Sequence, residues 1–262
     1  MPDWPLSYGK VIPEMTGGVF FETGHRLVAT TVGFLTIILA IWLQRVEKRS
    51  WMRKLGWTAL GVVVVQGLLG GITVLWLQPP WVSAAHACLA HLFFSTTASI
   101  ALFTSKGWLK GAEVVEDYGR PSLRTLAIIA PLMVLGQIAL GAGFRHRAIS
   151  LIPHIAGSMI VSLTLLVVGV FVLSQFPKHR VLRNAAYAML GITTLQVFLG
   201  IGAYYALLEA ANSPFQRVLA TVAHVANGGL TLAFTILLSI QIRRNVRLRA
   251  IEQAHGHAAV TS

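Results

Sequence analysis

Residues 21–34 read FETGHRLVATTVGF, and this stretch brings three ionisable side chains to the start of a long apolar run. Glu22 and His25 are three residues apart, so on a helix they lie on one face with Cβ atoms about 5–6 Å apart. Arg26 follows directly. Ionisable groups at the mouth of a membrane span are costly, which makes all three candidates for a functional site. The alternative is that they lie in the headgroup layer and anchor the helix.

The composition of the whole chain is that of a helical membrane protein. Of its 262 residues, 55% are hydrophobic and only 11% are charged, whereas a soluble domain averages roughly 25% charged residues. The apolar runs have the length of membrane-spanning helices, about 20 residues. The sequence predicts seven spans, at about 24–43, 57–76, 85–104, 125–143, 154–174, 186–208 and 218–241.

The net charge of +12 follows membrane topology and does not form a nucleic-acid-binding stripe. Most of the 21 Lys and Arg residues lie in segments 45–56, 105–124 and 175–185 and in the tail after residue 242. The positive-inside rule therefore predicts a multi-pass protein of the cell membrane, the inner membrane in a bacterium, with its N-terminus outside and its C-terminus in the cytoplasm. Cys88 is the one cysteine, which excludes an intrachain disulfide.

Two patterns alternate along the spans and indicate an internal repeat. Odd-numbered spans carry a histidine near their predicted outer end: His25, His86, His154 and His224. Even-numbered spans carry Gln-x3-Gly, beginning at Gln66, Gln137 and Gln196. Small residues at such positions let helices approach closely, and a glutamine can donate a hydrogen bond to a neighbouring helix.

The repeat predicts an all-α integral membrane protein made of two pseudo-repeated transmembrane four-helix bundles. Two such bundles require eight spans, so with seven spans the sequence predicts an N-terminal half that lacks its first helix. We expect residues 1–120 to form the N-terminal half and residues 121–262 to form the C-terminal half with a basic cytoplasmic tail.

The four outer histidines are candidate haem ligands in two pairs, His25 with His86 and His154 with His224. Imidazole nitrogens are standard axial ligands of haem iron, and bundle cores are where such cofactors bind. A single histidine would more often be a hydrogen-bonded core residue, but four at one depth favour ligation. No HExxH motif, cysteine pair or carboxylate cluster accompanies them to favour another metal.

Other charged and histidine residues have secondary predicted roles. Guanidinium groups bind carboxylates in pairs, so the outer arginines are candidates for haem propionate contacts, with lipid headgroup binding as the alternative: Arg26, Arg145, Arg147 and Arg217. His146 is a further candidate near a propionate. His91, five residues after His86, is predicted to pack or to hydrogen-bond away from the ligand face. His179, His255 and His257 are predicted to be solvated on the cytoplasmic side.

Several motifs together resemble one known family, the haem A synthases, over nearly the whole chain. They are PDWPLSYGK (2–10), ETGHR (22–26), QGLLGGITVL (66–75), PPWVSAAHACLAHLFF (79–94), GAGFRH (141–146) and LIPHIAG (151–157).

The resemblance implies an eight-helix enzyme of two four-helix halves that oxidises the methyl group at position 8 of haem o to a formyl group. The product, haem a, is destined for terminal oxidases. Carried over, His154 and His224 would bind a haem b cofactor, His25 and His86 would hold the substrate haem o, and Glu22 would be the essential carboxylate. Expected partners are haem o, membrane lipid, haem o synthase and cytochrome oxidase assembly factors.

The chain departs from the family pattern in its first outer loop. Many members have cysteines flanking PDWPL, where this chain has Met1 and Ser7, so a loop disulfide cannot form. The main rival interpretation is a di-haem membrane cytochrome b that transfers electrons without making a product; it explains the histidines but leaves Glu22 and the PDWP loop without a role. A haem or lipid transporter would instead predict a polar site at the midplane in broken helices.

Overall fold

The computed structural model describes residues 3–6, 8–117, 121–209 and 214–248. Seven of the described helices are long and apolar enough to cross a membrane, which confirms the predicted seven spans and the all-α membrane class. In chain order the helices are α1 Gly17–Val46, α2 Ser50–Leu75, α3 Pro80–Thr104, α4 Lys106–Leu109, α5 Leu123–Arg145, α6 Ile152–Gln175, α7 Arg180–Leu208 and α8 Pro214–Asn245.

The helices begin at residues suited to a first turn. Prolines occupy the first or second position of α3 and α6, where the missing N–H has no helical partner to lose. The Ser122 hydroxyl caps α5 by accepting from the backbone N–H of Arg124 at 3.1 Å. These signals fix where the spans start and hence the depth of the histidines within them.

His179 corrects one expectation, because it is buried and not solvated. Only 3% of the residue is exposed. Its Nδ1 accepts from the backbone N–H of Leu182 at 3.2 Å and so caps α7. Its Nε2 therefore carries the proton and donates to the carbonyl of Glu113 at 2.9 Å. The residue joins the start of α7 to the connection between the two halves. His255 and His257 lie outside the described residues.

The long helices pack in two groups that meet where α3 contacts α5 and α8. Helices α5 to α8 form a closed ring in which each contacts the next and α8 contacts α5, while α1, α2 and α3 pack in sequence and α3 also contacts α5 and α8. The larger apolar core lies inside the ring and includes Leu165, Leu182, Met189 and Ile242. A smaller core joins α1, α2 and α3. The division at residue 120 stays a prediction.

A small strand pair adds to the predicted all-α fold. Strand β1, Val115–Asp117, pairs in parallel with β2, Val246–Leu248. Around it, Asp117 accepts from the backbone N–H of Leu123 at 2.8 Å, and Arg124 donates to the carbonyl of Val246 at 2.8 Å. The end of α8 is therefore tied to the segment that follows α4.

Candidate functional site

The structure brings the four predicted histidines together as the two predicted pairs. The ring centres of His25 and His86 are 6.4 Å apart with their planes at 79°. Those of His154 and His224 are 6.2 Å apart at 90°. The first pair joins α1 to α3 and the second joins α6 to α8, so each pair links two helices that both begin on the same side of the membrane.

This separation fits a metal atom held between two imidazoles. A metal–imidazole bond is about 2 Å long, which places the centres of two axial rings about 6 Å apart. Within the described residues, no group of three or more His, Cys, Asp or Glu side chains is arranged to hold a metal ion. Two facing imidazoles without further ligands fit the axial positions of a haem, whose macrocycle would supply the other bonds to the iron.

Each histidine from α3, α6 and α8 lies against the Gln-x3-Gly motif of the helix before it. The glutamine Nε2 approaches an imidazole nitrogen in all three: Gln66 to His86 at 3.3 Å, Gln137 to His154 at 3.0 Å and Gln196 to His224 at 3.2 Å. One turn later the glycine leaves room for the ring. A Cβ there would meet the imidazole Cε1 at 3.1 Å from Gly70, 2.8 Å from Gly141 and 3.0 Å from Gly200. The motif therefore holds and accommodates a histidine.

The second pair faces a cavity inside the ring of α5 to α8. The cavity has a volume of about 360 Å³ and is lined mainly by apolar side chains, with His154 and His224 on its wall. Its size is that of a site for a small molecule or cofactor. Apolar surroundings with two imidazoles are the environment that a haem macrocycle requires.

Asn227 is a polar residue of this site that sequence reasoning missed. It is 4% exposed, and its Nδ2 donates to Oε1 of Gln196 at 2.8 Å and to the carbonyl of Ile192 at 3.1 Å. An asparagine three residues after a candidate ligand, on the same face of an apolar helix, is the signal that could have identified it.

Near the first pair, Glu22 and Arg26 form an ion pair with an N–O distance of 2.6 Å. The Glu22 side chain is 53% exposed. The Arg26 guanidinium also donates to the carbonyls of Leu6 at 2.5 Å and Asp3 at 3.1 Å. Arg26 thus holds the N-terminal segment over the start of α1, and its proposed contact with a propionate stays a prediction.

The same N-terminal segment packs onto α2. The Trp4 ring lies so close to Gly71 that a Cβ on Gly71 would meet it at 2.9 Å. Within the segment, the backbone N–H of Gly9 donates to the Asp3 carboxylate at 2.9 Å and holds the pKa of that carboxyl below its usual value. Residues 3–6 are therefore held against α1 and α2 at the end of the molecule that contains the first pair.

His91 hydrogen-bonds as predicted and connects the two halves. Its Nδ1 lies 2.6 Å from the carbonyl of Ala87, and its Nε2 lies 3.3 Å from the carbonyl of Val225. Ala87 follows His86, and Val225 follows His224. The His91 side chain therefore bridges two backbone carbonyls, one next to His86 of the first pair and one next to His224 of the second pair.

The remaining predicted arginines lie at the end of the molecule where the histidine pairs are found. Arg145 ends α5, Arg147 is in the connection to α6, and Arg217 is in the first turn of α8; all three are exposed. His146, between the first two, is partly buried, and this burial lowers its pKa. These positions are compatible with anionic groups reaching the same end of the bundle.

Fold and sites together define a multi-pass helical membrane protein with two paired-histidine sites of the kind that bind haem. Residues 1–153 match the family described as cytochrome oxidase assembly protein. This match covers more than half of the chain, and the chain belongs to that family.

Named relatives agree with the family. The chain is 30% identical over 156 residues to Heme A synthase of Symbiobacterium thermophilum, which covers 56% of this chain and 50% of that protein. It is 24% identical over 243 residues to Heme A synthase of Staphylococcus saprophyticus, covering 79% of each. It is 37% identical over 103 residues to Heme A synthase of Shouchella clausii, covering 38% and 33%. The chain thus spans half of the first relative and about four-fifths of the second.

Proposed function

We propose that this chain is a haem A synthase, a membrane oxidoreductase that converts the methyl group at position 8 of haem o into the formyl group of haem a for cytochrome oxidase. Family membership and the names of the relatives support the activity. The single observation that carries it is the pairing of four histidines into two haem-sized sites, with ring centres 6.4 and 6.2 Å apart, together with the Glu22 carboxylate one turn before His25, for which the rival cytochrome has no role.

The two sites have different proposed roles. His154 and His224 hold a haem b cofactor in the cavity of the α5–α8 ring, and His25 and His86 hold the substrate haem o. When bound, the cofactor supplies the redox chemistry that side chains lack. The protein contributes position, exclusion of water and charge. In the second half, the Gln-x3-Gly motifs position the histidines, and the apolar wall of the cavity excludes water.

Glu22 is the proposed catalytic carboxylate. It lies one turn before His25 on α1 and is oriented by its ion pair with Arg26. A carboxylate in this place accepts a proton or stabilises a cation that develops on the substrate carbon. The proposed contacts of the haem propionates are Arg145, Arg147 and Arg217. These arginines lie at the same end of the bundle as the histidine pairs, and guanidinium groups bind carboxylates well.

The proposed setting follows from this activity and from the charge pattern. The protein lies in a cell membrane with its N-terminus outside and its C-terminus in the cytoplasm. This orientation follows because the basic connections lie on the same side of the membrane as the C-terminus. The substrate comes from haem o synthase, and the product passes to cytochrome oxidase with its assembly factors. Lipid surrounds the exposed apolar faces of the long helices.

Coexpression with a source of haem o tests the enzyme against its rival, the di-haem cytochrome b. Haems extracted from the membranes are separated by chromatography, and the expected result is haem a in cells that carry this chain and none in cells with an empty vector. Unchanged haem b and haem o beside abundant purified protein would contradict the enzyme and favour the cytochrome.

A further inference from the structure

The walls of the two histidine sites differ at the residue that follows each Gln-x3-Gly motif. In α7 this residue is Ile201, whose side chain lines the cavity of the second pair. In α2 it is Gly71. The two motifs lie against their histidines in the same way, since a Cβ on Gly70 or on Gly200 would meet the imidazole Cε1 at 3.1 or 3.0 Å. Gly71 therefore lies where a wall of the first site is expected, without a side chain of its own.

The indole ring of Trp4 fills the space that Gly71 leaves. A Cβ on Gly71 would lie 2.9 Å from Cε2, 3.0 Å from Cδ2 and 3.2 Å from Cζ2 of this ring, so the close approach requires a glycine. Trp4 is nevertheless 41% exposed, which leaves part of the ring available for a further apolar contact. The N-terminal segment thus supplies to α2 the wall that α7 supplies from its own sequence.

The position of this ring is tied to the start of α1 by Arg26. Its guanidinium donates to the carbonyl of Asp3 at 3.1 Å and to that of Leu6 at 2.5 Å, on either side of Trp4 in the chain. The same group forms the ion pair with Glu22 at 2.6 Å. Trp4 is therefore held by the turn of α1 that also carries the candidate ligand of the first pair.

We propose that Trp4 is a substrate-contacting residue that forms a wall of the first site, against the macrocycle of a haem held by His25 and His86. The inference rests on the proposed binding of haem o by this pair. An indole ring offers a large, flat apolar surface, which suits contact with a porphyrin. The difference between the halves also matches their proposed ligands. A cofactor stays bound behind Ile201 of a packed helix, whereas a substrate must enter and its product must leave, which a separable segment permits.

The test uses the full-length protein purified with the haem of its second pair. Haem o is added under anaerobic conditions; an absorbance titration gives its affinity, and transfer to excess apomyoglobin gives its dissociation rate. His86→Ala identifies the part of the signal that belongs to the first pair. We expect Trp4→Ala to weaken binding about tenfold, mainly through faster dissociation, because an aromatic contact with the macrocycle is lost. Trp4→Phe should retain most of the affinity.

Two substitutions of Gly71 test the placement of the ring. Gly71→Ala puts a Cβ where the Trp4 ring lies, so its affinity for haem o should fall as in Trp4→Ala. In the Trp4→Ala background, Gly71→Ile reproduces the wall of the second half and should restore the affinity and slow the release of haem o. Trp76→Ala changes an exposed tryptophan at the end of α2 on the same side of the membrane. It is the matched control and should behave as the wild type.

The outcomes separate the inference from the function on which it rests. A wild-type protein that binds no added haem o, or binds it equally well after His86→Ala, contradicts the proposed substrate site and this inference together. Binding that depends on His86 but keeps its affinity and dissociation rate in both Trp4→Ala and Gly71→Ala overturns the inference alone. Loss of the haem of the second pair in Trp4→Ala also overturns it, because the ring would then support the fold as a whole and not one site.

Discussion

At the scale of single residues, a substitution of Glu22 can distinguish catalysis from haem binding, because the proposed haem ligand is His25 and not Glu22. Glu22→Gln keeps the size of the side chain but removes the charge that its ion pair with Arg26 orients. We expect the rate of haem a formation to fall by about 10²–10³, as for one electrostatic group in an active site. Haem o or its partly oxidised alcohol should accumulate, with normal haem b content, on chromatography of extracted haems.

Glu14→Gln is the matched control for this prediction. Glu14 is an exposed carboxylate in the segment before α1, on the same side of the membrane, and its neutralisation should leave haem a production unchanged. Wild-type haem a in Glu22→Gln would show that the ETGHR segment anchors α1 and supplies only a ligand.

The sequence predicted the histidine pairs but not the buried polar contacts of Asn227 and His179. Four histidines recurring at one depth on alternate spans leave a pattern that can be read without coordinates. Asn227 and His179 do not recur, and the role of each depends on a partner at least 31 positions away in the chain. A lone polar residue in an apolar helix indicates an interhelical contact but does not identify its partner.

At the scale of helices, Gly141 tests whether the Gln-x3-Gly motif makes room for a ligand. A Cβ at this position would lie 2.8 Å from Cε1 of His154, so Gly141→Ala must displace the ring. We expect less haem per purified protein in this variant. Gly136→Ala, in the same helix with nothing within 4 Å of the new Cβ, should retain its haem and gain about 0.5–1 kcal/mol of stability. Equal haem content in the two variants would contradict the role of the glycine.

The connection between α1 and α2 contains a pH-dependent contact. Glu47 accepts from the guanidinium of Arg49 at 2.7 Å, and Arg49 also donates to the carbonyl of Phe103 at the end of α3. The hydrogen bonds from Arg49 lower the pKa of Glu47 to about 2 from its usual 4.5. A carboxyl with a lowered pKa stabilises the fold above its unfolded pKa, and this contribution is lost as the pH falls from 4.5 towards 2.

Thermal unfolding of purified Glu47→Gln should therefore show a smaller decrease of the unfolding temperature between pH 4.5 and pH 2 than the wild type. Glu14→Gln again serves as the control and should follow the wild type. Identical pH profiles for wild type and Glu47→Gln would show that the contact does not contribute to stability.

For the whole molecule, the second histidine pair links cofactor binding to folding. His154→Ala and His224→Ala each remove one of the two proposed axial ligands, and we expect both to lose the copurifying haem b from the reduced-minus-oxidised spectrum. A cofactor that binds only the folded state stabilises it, so their unfolding temperatures should also fall. His25→Ala and His86→Ala should keep this haem. An unchanged spectrum in both second-half variants would refute the assignment.

The sequence predicted the number of spans and their alternating motifs, but it did not predict how the two groups of helices join. Spans are identified by length and hydropathy, which are local properties. The packing of α3 on α8 and the pairing of β1 with β2 connect residues more than 130 positions apart. Three-residue strands have no periodic signature in the sequence, so contacts of this kind emerge only from the coordinates.

The place of α8 in the chain has a consequence for biosynthesis. It is synthesised after the other six described spans, yet it carries His224, closes the ring around the cavity and supplies the Val225 carbonyl that His91 meets. Before α8 has been synthesised, His91 of α3 lacks its contact with the Val225 carbonyl, and the cavity lined by α5, α6 and α7 is open on the side that α8 will close. If the second half binds haem b as proposed, its complete site forms only after α8 has been synthesised, and we expect a translation product truncated before residue 214 to bind no haem b.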